Sequence, residues 1–236
     1  ATAYAATMAG VMKTTNGGYP WFEVASPPVL FHAVTFADTL SGWAVGNFGH
    51  ITHTTDGRYT WSQQVSGTSW PLLAAENLHS DSIVIAAGGA PYDRSAAKAR
   101  SRADDITYSA LLKTTDCGET WEPLNTGREL SRQSISFIDR QVGWIARNHY
   151  QGEWSEVVKT TDGGATWTLQ ETLPALLLYG VKFVDAGTGW IAGGLFGFPD
   201  KGFVMKTTDG GASWTSQLSG LAQSVRSLDF ADADNG

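Results

Sequence analysis

Five side chains in this sequence have the type and setting to do chemistry, and they recur in one local pattern. Asn16, Asp56, Asp116, Asp162 and Asp209 each follow two threonines and precede a turn that ends, five residues on, in tryptophan. Lys159 to Trp167 (KTTDGGATW) is the fullest version of this box. A carboxylate beside glycines suggests calcium, but the ligand spacing of an EF-hand loop is absent. Asp and Asn accept N–H groups of their own turn, and glycine supplies positive φ, so the five read as structural hairpin tips. Other catalytic patterns are missing: the five histidines form no His-Glu-x-x-His pair, and neither a Gly-Lys-Ser/Thr loop nor Gly-x-Ser-x-Gly occurs. The single cysteine, Cys117, takes the place of a turn glycine and excludes an internal disulfide or a Cys-based metal site. No metal and no cofactor is expected.

The boxes also act as a ruler. Their Asp or Asn positions are spaced by 40, 60, 46 and 47 residues, and the long interval contains a polar stretch between Gly89 and Ser109 that reads as an inserted loop. A second motif precedes the boxes: Phe36, Phe137 and Phe183 each stand seven residues before the Trp of a Gly-Trp pair, Trp43, Trp144 and Trp190. The copy holding Leu78 and Ile83 to Gly89 is degenerate. One repeat is therefore a strand ending at Phe, an Asp turn, a Trp-led strand, a variable loop, a Thr-Thr strand, the box and an outer strand, which is the anatomy of a propeller blade. The expected fold is all-β, a single β-propeller domain over 1–236 of five four-stranded antiparallel blades. The first blade combines 1–24 with 224–236, and the others cover about 25–66, 67–125, 126–171 and 172–223. Closure comes from Ser224 to Gly236, which repeats only the first strand and turn, pairing with Ala1 to Ala6. Ala1 falls where a Trp is expected, seven after Phe230, so a fragment of a longer propeller, or an engineered ring, is the competing expectation.

This arrangement sorts the charges. Box turns and Asp turns share one end of each blade, and the loops between strands two and three share the other with the blade links. Arg58 and Arg140 fall at the box end, with most of the turn acids. Arg94, Arg100, Arg102, Arg128, Arg132, Arg147 and Arg226 fall at the loop end, beside Phe48, Tyr92, Tyr150, Trp154, Phe196 and Phe198. Arginine mixed with exposed aromatics is the composition of a binding surface. Arg94, Arg128, Arg132, Arg147, Arg226, Tyr150, Trp154, Phe196 and Phe198 are the candidate partner-binding residues. Four residues before each landmark Phe stand His32, Gln133, Tyr179 and Arg226. These are candidates to line a central pocket with Glu76 as its acid, although Val34, Ile135, Val181 and Leu228 in the same strands also read as core with a polar rim.

The formal net charge is −7 and Lys plus Arg total 16, which argues against a general nucleic-acid binder. No apolar run reaches the ~18 residues a membrane helix needs.

The combination of Phe-x-Asp, Gly-Trp and Lys-Thr-Thr-Asp-Gly-Gly-x-Thr-Trp resembles the BNR/Asp-box propellers, most closely the photosystem II stability/assembly factor family. The resemblance covers essentially the whole chain. That family is usually seven-bladed, and many of its members are secreted. The resemblance implies a non-catalytic scaffold with a protein or peptide partner, in an extracytoplasmic location. Sialidases and several glycoside hydrolases also carry Asp boxes, so a carbohydrate-binding or carbohydrate-cleaving propeller is the alternative. The arginine signature of a sialidase is absent, and other glycosidases need only a pair of carboxylates at the right separation.

Overall fold

The computed structural model describes residues 2–7, 10–25, 29–57, 59–78, 82–89, 109–124, 130–149, 154–195, 197–233 and 235–236. They form two compact units, the first within residues 1–89 and 110–124, the second within residues 90–109 and 125–236.

The first unit contains three antiparallel sheets. One is β1 (Ala3–Thr7), β2 (Gly10–Thr14) and β3 (Phe22–Ala25). The next is β4 (Phe31–Phe36), β5 (Gly42–Gly46), β6 (Ile51–Thr54) and β7 (Ser62–Gln64). The third is β8 (Leu72–Asn77), β9 (Val84–Gly89), β10 (Ser109–Thr114) and β11 (Glu122–Pro123). The second unit contains two: β12 (Leu130–Phe137), β13 (Gly143–His149), β14 (Trp154–Thr160) and β15 (Thr168–Pro174), then β16 (Leu176–Phe183), β17 (Gly189–Leu195), β18 (Phe198–Thr207) and β19 (Thr215–Leu221). Strands follow chain order in every sheet, so each is a meander joined by its two kinds of turn. The expectation of five four-stranded sheets is corrected in one respect. The β1–β3 sheet has three strands among the described residues, and residues 222–233 and 235–236 lie in no strand.

The second strand of each full sheet is buried along its length because both of its faces are covered; β5 and β9 are buried throughout, and β13 and β17 in all but their last residue. This explains why these strands read as unbroken apolar and glycine runs rather than alternating ones. The outer strand β19 is exposed along nearly all its length and is correspondingly polar.

Neighbouring sheets within a unit are joined by one recurring aromatic stack. Trp144 of β13 lies against Phe183 of β16 with ring centroids 3.7 Å apart and planes 3° from parallel. Trp214 meets the edge of the same Phe183 ring at 6.1 Å, and Lys159 caps Trp144 at 4.8 Å. Trp190 repeats the stack with Phe230 (3.8 Å) under Lys206. In the first unit the pair is Tyr4 and Phe36 (3.5 Å) under Lys13. Tyr4 pairs with Lys13 as Trp144 pairs with Lys159, so the aromatic sought at Ala1 is supplied by Tyr4. Burying a ring of this size is worth at most about 4–6 kcal/mol by area, against about 1 kcal/mol for the Trp144 Nε1 bond to the Gly210 carbonyl at 2.8 Å, so packing sets the spacing of the sheets. The glycine of each Gly-Trp pair follows from the same geometry, because a Cβ on Gly42, Gly143 or Gly189 would fall inside the ring of Phe36, Phe137 or Phe183.

Residues 225–230 run beside β16. Leu228 packs over Gly180, Lys182 and Asp229 form an ion pair at 3.0 Å, and Phe230 stacks on Trp190. Gly236 meets the Phe230 ring as Gly189 meets Phe183. Among the described residues this segment forms no strand, and the expected pairing with Ala1 to Ala6 that would close the first sheet is not shown.

Candidate binding site at the loop ends

In each four-stranded sheet the box turn and the turn between the first two strands lie at one end, and the second and third strands are joined at the other.

At the box end the carboxylates are committed to their own turns. Thr160 Oγ1 donates to Asp162 Oδ1 at 2.8 Å and accepts from the Gly164 N–H at 2.9 Å, while Thr166 donates its N–H (2.9 Å) and its hydroxyl (2.6 Å) to the same carboxylate. Asp116 and Asp209 repeat the pattern with Thr120 and Ser213, and Asp56 with Thr60. Asn16 keeps a reduced version, accepting from Thr14 Oγ1 and the Tyr19 N–H. The hydroxyls of Thr120, Thr166 and Ser213, assisted by backbone N–H groups, hold Asp116, Asp162 and Asp209 down to about 2. Asp38 and Asp185 are also lowered, each by two N–H groups of its turn. Such carboxylates stay ionised and are poor proton donors.

At the loop end the first unit places His32 at the start of β4, exposed, with Nε2 2.8 Å from Asn47 Oδ1. Glu76 is not there. It sits beside Asn77 at the far end of β8, opposite Ile85 and close to the turn end. Asn77 itself occupies the place of the landmark Phe, since its N–H donates to Thr35 Oγ1 (3.0 Å) as the Phe183 N–H donates to Ser136 Oγ (3.0 Å).

In the second unit Tyr179 and Arg226 come together. The Arg226 guanidinium lies 4.8 Å from the centre of the half-buried Tyr179 ring. Trp154 opens β14 and is stacked on His149 at 3.6 Å, which leaves it half-buried. Arg147 is corrected from its expected outward position: it is 3% exposed and bonds Glu156 Oε2 through Nε (3.2 Å) and a terminal nitrogen (2.9 Å). The two residues are directly paired across β13 and β14, so their side chains rise on one face of the sheet. On the opposite face Asn148 bonds both the N–H and the carbonyl of Leu178, and Ser155 bonds Asn148 and the Leu176 carbonyl. No motif of the sequence marks these buried polar groups, Glu156 above all. Its signal was the symmetric placement of Arg147 and Glu156 about the loop they flank.

Strand pairing is interrupted at His32 in β4, at Tyr179 in β16 and at Arg132 in β12. The backbones of Arg132 and Gln133 lie in β12 and that of Phe198 opens β18. Their side chains fall outside the described residues, as do Arg94, Arg128, Tyr150 and Phe196 entirely. Among the described residues no three His, Cys, Asp or Glu side chains gather as metal ligands, and no helix is long and apolar enough to cross a membrane. The buried carboxylate of Glu156 is committed to an arginine.

No protein-family model and no curated protein sequence matches the chain. Among solved structures it is similar to the Dos1 propeller, with a TM-score of 0.61, 14% identity, and coverage of 92% of this chain and 56% of that one. The fold is that of a β-propeller. It is also similar to YCF48 bound to D1 peptide (TM-score 0.55, 16% identity, 91% of this chain, 76% of that one) and to a GH74 enzyme of Niastella koreensis (0.54, 14%, 98% and 50%). The chain thus spans about half the length of two of these proteins.

Proposed function

We propose that this propeller is a non-catalytic scaffold that holds a protein or peptide partner at the loop ends of its sheets, in the manner of an assembly factor. Arg226 carries the reading. Its guanidinium is exposed, lies over Tyr179, and has no carboxylate against it among the described residues. A planar cation on an aromatic face is prepared for a carboxylate or a backbone carbonyl. A protein of the same fold with a peptide bound supports it. In this reading the five sheets act as blades of one domain, and the protein works outside the cytoplasm.

The test is calorimetric titration of the chain with the D1 peptide and with a panel of short acidic peptides. Binding should weaken as salt rises, and Arg226→Glu combined with Arg132→Glu should reduce it about tenfold or more. Equal affinity in the double variant would sink the proposal. The GH74 likeness sustains the second reading, a carbohydrate-active propeller, and measurable hydrolysis of soluble polysaccharides by the same preparation would favour it.

A further inference from the structure

The loop end of the β4–β7 sheet presents one feature that peptide capture by arginine does not use. Phe48, in the three-residue helical turn Asn47–Gly49 between β5 and β6, has φ 58° and ψ 29° and is 76% exposed. A bulky side chain in the left-handed region is unfavourable, and an aromatic ring left in water is unfavourable again. Neither cost is offset by packing of the ring.

The turn beneath the ring is nevertheless firmly built. The Asn47 N–H donates to the Leu30 carbonyl (3.0 Å), the His50 N–H to the Asn47 carbonyl (3.1 Å) and the Gly46 N–H to the His50 carbonyl (2.9 Å). His32 Nε2 bonds the Asn47 side chain at 2.8 Å. Gly49, also at positive φ, lies so close to the Thr68 carbonyl and Ser66 Oγ that any Cβ there would collide. Leu30, 40% exposed, flanks the turn through its carbonyl. These bonds fix the backbone in a conformation that leaves Phe48 outward, a strained position of the kind that clusters at ligand clamps.

The surroundings also state the chemistry of the occupant. Residues 24–37, 39–55 and 59–75, which supply this turn, β4 to β7 and the link to β8, contain no Lys, Arg, Asp or Glu, in a chain of net charge −7. A charged partner finds nothing to pair with here, whereas uncharged apolar side chains cost little to desolvate.

We infer that Phe48, with Leu30 and the His32–Asn47 pair at its side, is the anchor of a docking site for an uncharged, apolar peptide segment of the partner. The inference rests on the peptide-binding reading above and adds a second, salt-independent contact through Phe48 rather than through arginine.

The full chain, its Phe48→Gly variant and its Arg226→Glu variant are each measured for retention on two immobilised synthetic peptide sets, one of uncharged Leu-, Val- and Pro-rich peptides and one of acidic peptides. Thermal midpoints are recorded alongside. Phe48→Gly should lose retention on the apolar set about tenfold while keeping it on the acidic set. Its thermal midpoint should stay level or rise, because glycine accepts the left-handed turn. A residue serving only the fold would lower it. Arg226→Glu should show the reverse selectivity, and retention on the apolar set should survive high salt. Undiminished apolar retention by Phe48→Gly, or no apolar retention by the unaltered chain, overturns the Phe48 site while leaving the arginine reading standing if acidic peptides are held. Failure of both sets overturns both.

Discussion

Cys117 shows at the scale of one residue how the box tolerates substitution. It stands at φ 63°, where the other four boxes place Gly17, Gly57, Gly163 and Gly210 at φ 87°, 64°, 70° and 77°. A side chain in that region costs about 1–2 kcal/mol, and glycine's larger unfolded-state entropy offsets about 0.5–1 kcal/mol of the gain from removing it. Cys117→Gly should therefore raise stability by about 0.5 kcal/mol, read as a higher urea midpoint. The backbone contacts are retained in the variant, since Gln64 Nε2 bonds the Cys117 carbonyl (2.9 Å) and the Cys117 N–H bonds the Ser82 carbonyl (3.2 Å). The role of the box Asp as a turn cap was legible at this scale because its partners lie within four residues. The burial of Arg147 was not, because its partner is on another strand and nothing local distinguishes a buried arginine from a solvated one.

Among the elements, the β13–β14 hairpin carries the least expected energetics. Removing one member of a buried ion pair strands the other, so Arg147→Ala should destabilise the fold by about 3–5 kcal/mol. Replacing both Arg147 and Glu156 by apolar residues of similar volume should recover most of that loss, measured by urea unfolding of the single and double variants. If the single variant costs under about 1 kcal/mol, the pair is not buried as described. Strand order within the four-stranded sheets was readable from the spacing of Phe, Trp and box, since each is a meander of neighbours in sequence. The bulges were not readable. A bulge such as that between Ser131 and Gln133 leaves composition and spacing unchanged yet changes which residues are paired across the strands.

For the whole molecule, the boxes make stability depend on acid in one direction. Asp116, Asp162 and Asp209 have folded values near 2, below the ordinary carboxylate value of 3.8. A depressed folded pKa contributes stability that is fully present above the unfolded value and is lost as pH falls through the folded one. The thermal midpoint should be flat above pH ~5 and drop between about pH 4 and 2. Asp162→Asn should show a shallower drop than the unaltered chain, and an identical pH profile would refute the assignment.

The sequence alone determined the all-β architecture, the period of the sheets and the structural use of the boxes. These follow from short-range turn chemistry and from an aromatic spacing repeated along the chain. Only the tertiary structure decided that the first sheet has three described strands, that Tyr4 fills a tryptophan position, that Arg147 is buried on Glu156 and that Arg226 lies over Tyr179. Each of these depends on which side chains meet across strands or sheets, and such meetings are set by register and packing between residues far apart in the chain.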